Sequence, residues 1–207
     1  MKLGFIGTGT ITSAVVKGIL KSKIQYKKIY ISKRNSKKSR ILKKLNNKIF
    51  IFNNNQDIIN NSDWIFLSVT PEVGNKILKK LKFKRNQIII SFISSIKLKN
   101  LKKLIKANVQ IVRAIPLPPI SIGKGPVPIF PSNNKVRNFF DKIGQSIVIN
   151  KEKTSLNFWA TSSLMAPFYE ILNTTAKWMT KKGLNKKASQ KYVSSLFLAL
   201  SEDVSLN

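Results

Sequence analysis

Apolar positions follow two alternating rhythms through the first two-thirds of the chain. Short apolar runs at Lys2–Gly7 (KLGFIG), Lys28–Ser32 (KIYIS), Ile49–Phe52 (IFIF), Trp64–Val69 (WIFLSV) and Gln87–Phe92 (QIIISF) read as strands. The fourth is apolar on both faces, as a strand buried in a parallel sheet is. Between the runs the spacing is helical: Ile11, Ala14, Val15, Gly18 and Ile19 share one face, and so do Ile41, Leu42 and Leu45 on a basic helix from Lys37 to Leu45. Further helices are expected at Asp57–Asn61, Gly74–Leu81 and Leu98–Ile105. Val109–Ala114 and Pro126–Phe130 are expected as the last two strands, flanking a stretch of Pro and Gly that reads as loop. Strands alternating with helices at this spacing imply βαβ units, hence an α/β fold with a doubly wound, mainly parallel sheet and antiparallel pairing only near its end.

After Asn150 the rhythm changes. Ser155 to Lys181 reads as one long helix containing a single Pro, Lys186 to Leu200 as a second, with Gly183-Leu184-Asn185 as the turn. The expected division is therefore an α/β domain over residues 1–150 and an all-helical segment over 151–207. Two helices make a thin domain, so the segment is expected to be incomplete as it stands. Its many large apolar groups, among them Phe158, Leu164, Phe168, Ile171 and Trp178, exceed what two helices cover and imply a homodimer or higher homo-oligomer. Trp159, Trp178 and Phe168 read as helix-packing residues.

Composition narrows the chemistry. With neither Cys nor His in 207 residues, thiol catalysis, disulfides and the usual transition-metal ligands are excluded, and no metal is expected. No stretch is long and apolar enough to span a membrane, and the N-terminal run is a strand leading into a turn rather than a signal peptide, so a cytoplasmic protein is expected. The charge is unusual: 38 Lys and Arg against 8 Asp and Glu, formally +30. The cations are dispersed through helices and loops, without a tail or stripe, which argues against nucleic acid as the main partner.

The chemistry that remains is concentrated at the first strand–helix junction. Gly7-Thr8-Gly9 follows a strand and opens a helix, with Thr12 at the third small position. In that context Gly7 permits the tight turn, Gly9 lets a pyrophosphate approach the backbone, and the helix N-terminus offers free N–H groups. This is the signature of a Rossmann-type dinucleotide-binding unit. The second strand ends in Ser32-Lys33-Arg34-Asn35-Ser36-Lys37, where an NAD site would place an acid for the ribose hydroxyl. A hydroxyl and cations suit a 2′-phosphate, so NADP is favoured, with NAD as the alternative. Hydride transfer from a nicotinamide suits such a residue inventory, because the cofactor carries the reaction and the protein orients it and supplies a proton. Thr70, Ser94, Ser163 and Tyr169 are the candidate polar groups, although hydroxyls of this kind also serve as ordinary caps.

The segments LGFIGTGTITSAVVKGIL, SDWIFLSVTP, IIISFISSI and VRAIPLPPISIGKGP together resemble the Δ1-pyrroline-5-carboxylate reductases, which make proline using NAD(P)H. SSLMAPFYEILNTTAKW stands where that family begins a helix with GSGPAY. The resemblance implies that Ile6, Gly7, Thr8, Gly9, Thr10 and Ile11 hold the pyrophosphate. Lys33 and Arg34 would then lie near the adenosine phosphate, and Asn55 near the adenine ribose. Ser68, Val69, Thr70, Pro71, Phe92, Ile93 and Ser94 would border the nicotinamide, with the prolines at 116, 118 and 119 as a rigid wall beside it. Catalytic roles fall to Ser163 and Tyr169, with a cyclic imine as substrate and the helical segment exchanged between subunits. The sequence departs from the family pattern at Thr70 (usually Lys), at Leu117 (usually Asn) and at Leu164, Met165 and Ala166, and the family's later Gly-rich pocket segment would lie beyond Asn207. Those departures keep open a non-catalytic dinucleotide-binding or regulatory protein derived from the family.

Overall fold

Strand order is what decides where a ligand can bind in a sheet of this kind, and the computed structural model, which describes residues 1–206, fixes it. Among the described residues the strands are β1 (Lys2–Ile6), β2 (Lys28–Ser32), β3 (Ile49–Phe52), β4 (Trp64–Leu67), β5 (Ile88–Ser91), β6 (Gln110–Ala114), β7 (Pro126–Phe130) and β8 (Gln145–Val148). They form one sheet in the order β3-β2-β1-β4-β5-β6-β7-β8. Every neighbouring pair is parallel except β6 with β7. The order reverses between β1 and β4, and the crevice beyond the carboxyl ends of those two strands is where doubly wound sheets bind ligands.

The connecting helices are α1 (Thr10–Lys21), α2 (Ser36–Leu45), α3 (Asn55–Asn61), α4 (Pro71–Ile77), α5 (Leu98–Ile105) and α6 (Asn134–Phe140). Alternation along β1 splits the core into two layers: Leu3 and Phe5 join the cluster on one face, Ile6 the cluster on the other. On the first face Phe5 stacks on Phe66 at 4.4 Å, Phe66 lies 5.7 Å from Phe139, and Phe92 meets Phe140 edge-on. At the opposite edge of the sheet, the ammonium groups of Lys43 and Lys28 sit 4.7 and 5.2 Å from the ring centre of Phe50 on β3.

Several expectations need correction. Pro126–Phe130 is not the last strand: α6 and β8 follow it. The Pro/Gly stretch contains a 3-10 turn at Pro118–Ile122, and the expected helix at Gly74–Leu81 starts earlier, at Pro71, and ends in a 3-10 turn at Leu78–Lys80. The long helix from Ser155 to Lys181 is two helices, α7 (Ser155–Ser162) and α8 (Met165–Lys181), with α9 (Lys186–Leu206) beyond. Pro167 explains the break, since its ring would collide with the carbonyl of Ser163 in a continuous helix and it has no N–H to donate there. The chain tightens instead, Ser163 and Leu164 donating to the carbonyls of Ala160 and Thr161.

The chain divides into two compact units, Met1–Ser155 and Leu156–Asn207. The second is held by α8 against α9: Phe168 meets Phe197 edge-on at 5.7 Å, and Ala176, Ser189 and Val193 are buried. Tyr169, Ile171, Trp178, Tyr192, Leu196 and Leu200 remain exposed on it. The side chain of Trp159 lies outside the described residues. No helix among the described residues is long and apolar enough to cross a membrane.

Candidate active site

The glycine turn is built by interactions that leave the start of α1 open. Gly7 has φ +98°, and a Cβ there would come within 2.1 Å of the Ser68 carbonyl oxygen, so only Gly fits between β1 and the end of β4. The Gly7 N–H donates to Ser32 Oγ at 3.0 Å, and Thr8 Oγ1 donates to the Ser32 carbonyl at 2.6 Å. Thr12 Oγ1 donates to the Gly7 carbonyl at 2.6 Å, which is what the third small position of the motif does in this chain. Gly9 is the N-cap of α1, with no side chain to cap it, no acid in the first turn, and open space where its Cβ would stand. The first N–H groups of α1 thus face the crevice without an intrahelical partner, carrying the positive end of the helix dipole.

Three adjoining clefts open here. The largest, about 450 Å³, lies between the glycine turn (Gly7 to Gly9), the segment Arg34–Lys37 and the segment Ser68–Thr70. A second, about 280 Å³, has the apolar wall Val69, Val73 and Ile77 on one side and Arg34, Asn53 and Asn55 around it. A third, about 230 Å³, runs from Gly9–Ile11 across Ser68–Thr70 to Phe92. A recess with one apolar wall beside Arg34, a helix start for a diphosphate and a third recess ending on an aromatic suit the successive parts of a dinucleotide. Arg34 and Lys37 present the cations, and Asn35 caps α2 by accepting from the Lys38 N–H. Lys38 Nζ donates to Thr10 Oγ1 at 2.8 Å, tying α2 to the mouth of α1.

Of the residues singled out in the sequence, the clefts bring together Gly7, Thr8, Gly9, Thr10, Ile11, Arg34, Asn55, Ser68, Val69, Thr70 and Phe92. Ile6 and Ile93 are core side chains, so only their main chain can face a ligand. Lys33 is exposed outside the clefts, and Pro71 is the first residue of α4. The Ser94 carbonyl accepts from Arg113 Nη2. Ser163 and Tyr169 belong to the helical unit, where Ser163 Oγ donates to the Ala160 carbonyl at 2.5 Å and Tyr169 is exposed on α8. Sequence reasoning missed Asn53, Val73 and Ile77, and took Ser36 and Lys37 only as part of the segment that ends β2. Lys37 followed two cations already noted, whereas Val73 and Ile77 were legible only as one helical face, i and i+4.

Comparison with known proteins agrees with this geometry. The family model described as NADP oxidoreductase coenzyme F420-dependent matches residues 2–95. The pyrroline-5-carboxylate reductase of Haemophilus influenzae is 23% identical over 216 residues, covering 99% of this chain and 79% of its own length. The structure of 1-pyrroline-5-carboxylate reductase from Streptococcus pyogenes superposes with a TM-score of 0.85 at 25% identity, covering 100% of this chain and 80% of that one. The Plasmodium falciparum pyrroline carboxylate reductase, solved with NADP bound, gives a TM-score of 0.86 at 22% identity, covering 100% and 79%. The similarity to pyrroline-5-carboxylate reductases thus runs through the helical unit as well as the sheet, over nearly the whole length of this chain.

Proposed function

We propose that this chain reduces 1-pyrroline-5-carboxylate to L-proline with NADPH. The observation that carries the reading is the uncapped start of α1 opening beside Arg34 and Lys37, in a chain whose similarity to reductases of this substrate covers nearly its whole length. The clefts fit the cofactor: Gly9 leaves room for the diphosphate, Arg34 and Lys37 face the 2′-phosphate, and Val69, Val73 and Ile77 with Arg34 enclose the adenine. Bound NADPH supplies a hydride for the imine carbon. The main chain at Ser68–Thr70 and the Phe92 ring set the position of the nicotinamide and exclude water from one side of it. Ser163 and Tyr169 are proposed to orient the substrate and to assist delivery of the proton to the imine nitrogen.

We further propose a homodimer in the cytoplasm, built on the exposed apolar face of α8 and α9. Trp178 and Tyr192, at 59% and 60% exposure, are the largest side chains on that surface. A size measurement at micromolar concentration tests it: Trp178→Glu is expected to convert dimer to monomer, and a monomeric parent protein refutes it. The departures at Thr70, Leu117 and Leu164–Ala166 favour a second reading, a dinucleotide-binding protein without turnover. Oxidation of NADPH at 340 nm in the presence of pyrroline carboxylate separates the two. Turnover that falls at least about tenfold in Tyr169→Phe supports the reductase and the role of Tyr169. NADPH binding with no turnover supports the second reading.

A further inference from the structure

Arg113 lies in β6, next to its last residue, with a side chain only 2% exposed. Removing a guanidinium from water costs several kcal/mol, so its partners are specific and geometrically good. Its Nη1 meets Glu152 Oε1 at 2.6 Å, and its Nη2 donates to the Ser94 carbonyl. The same Glu152 oxygen accepts the Leu98 N–H at 2.6 Å. One cation and one carboxylate therefore hold both ends of the segment 94–98, which leaves β5 past Phe92 and enters α5. A second ion pair, Arg137 of α6 with Asp141 just beyond its end, is by contrast exposed and local. In a chain with 8 acids against 38 cations, one acid is committed to this buried spot.

We propose that Arg113 and Glu152 are positioning residues for hydride transfer: by holding Ser94 and Leu98 they fix the segment that follows Phe92, whose ring ends the third cleft. Neither residue lines the three clefts, and both act through the main chain of that segment. Ser91 Oγ, which accepts the Ile93 N–H at 3.2 Å, fixes the near end, so the ion pair governs the remainder. The inference rests on the NADPH-dependent reading for its catalytic consequence, but not for the clamp itself.

The test compares Arg113→Met, Arg113→Lys and Glu152→Gln in the full chain. If the segment positions the nicotinamide, kcat falls about tenfold or more in Arg113→Met and Glu152→Gln, since an error near 1 Å at the reacting centre costs up to about a hundredfold. KM for NADPH is expected to stay within about threefold, because the adenosine and diphosphate contacts proposed above lie on the glycine turn, the Arg34–Lys37 segment and α4, none of them in residues 94–98. Arg113→Lys, able to donate to one acceptor, recovers part of kcat. The isotope effect with NADPH deuterated on the transferred position rises as the hydride step becomes limiting. Amide hydrogen exchange over 93–98 quickens while the rest of the sheet is unchanged. A lowered melting temperature with kcat, KM and exchange unchanged would mean a purely structural pair and overturn the proposal. If Arg113→Met does not fold, Arg113→Lys and Glu152→Gln decide. If the parent protein has no turnover, the functional reading fails separately, and exchange alone judges the clamp: faster exchange confined to 93–98 sustains it, and unchanged or uniform exchange overturns it.

Discussion

Replacing the two glycines of the turn one at a time should separate folding from cofactor binding. In Gly7→Ala the new Cβ meets the Ser68 carbonyl oxygen at 2.1 Å and its carbon at 2.7 Å, with φ held at +98°. The left-handed backbone costs about 1–2 kcal/mol for a residue with a Cβ. Relieving the overlap adds about 1–3 kcal/mol, because Ser68 is held in place by its own N–H donating to the Ile6 carbonyl at 2.8 Å. A loss of about 2–5 kcal/mol corresponds to a fall in melting temperature on the order of 10 °C for a protein of this size. In Gly9→Ala the backbone is ordinary, with φ −87°, and nothing lies within 4 Å of the new methyl. Stability should then change by less than about 1 kcal/mol. The methyl instead occupies the approach to the α1 N–H groups, so NADPH affinity should fall more than about tenfold, roughly 1.4 kcal/mol or more. Thermal unfolding and titration of NADPH fluorescence measure the two effects independently. Full NADPH affinity in Gly9→Ala, or unchanged stability in Gly7→Ala, would refute the account of the turn.

Arg34→Ala and Lys37→Ala should each weaken NADPH by about 1–3 kcal/mol while changing NADH little. Lys33→Ala should leave both nearly unchanged, because Lys33 stands outside the clefts, and parallel titrations with the two cofactors check this. Phe66→Ala removes the ring that Phe5, Phe92 and Phe139 all contact, and should cost about 3–5 kcal/mol in denaturant unfolding at an unchanged m-value.

The parts of the fold that could be read from the chain were those with strong local periodicity. β2, β3, α5 and β7 have the expected bounds because each is an apolar run or an apolar helical face closed by polar or turn residues. α6 and β8 were not legible: NKVRNFF is a single short amphipathic stretch whose Phe139 finds its aromatic partners on distant Trp64 and Phe66, and QSIV is a half-buried edge strand that forms only by pairing with β7. The kink at Ser163–Met165 was signalled by Pro167 but placed inside one helix, since a Pro within the first turn of a new helix looks the same in sequence as one in the middle of a long helix. In the site, the glycine turn and Arg34 followed from a motif. Ile6 and Ile93 were assigned by their place in a segment, whereas alternation along a strand sends such side chains into the core. The Arg113–Glu152 pair joins residues 39 apart and carried no local signal at all.

The lysines over Phe50 bear on how this chain behaves in a crowd of its own copies. β3 ends the sheet, and an edge strand reading IFIF, with its free N–H and C=O groups, is a ready template for another β-strand. Lys43 and Lys28 shelter the Phe50 ring and set positive charge along that border, so any second copy arriving edge to edge meets like charge first. The same lysines that make the composition look indiscriminately basic therefore guard against aggregation at that edge. Acetylating or mutating them should first show as a loss of colloidal stability, before any loss of fold.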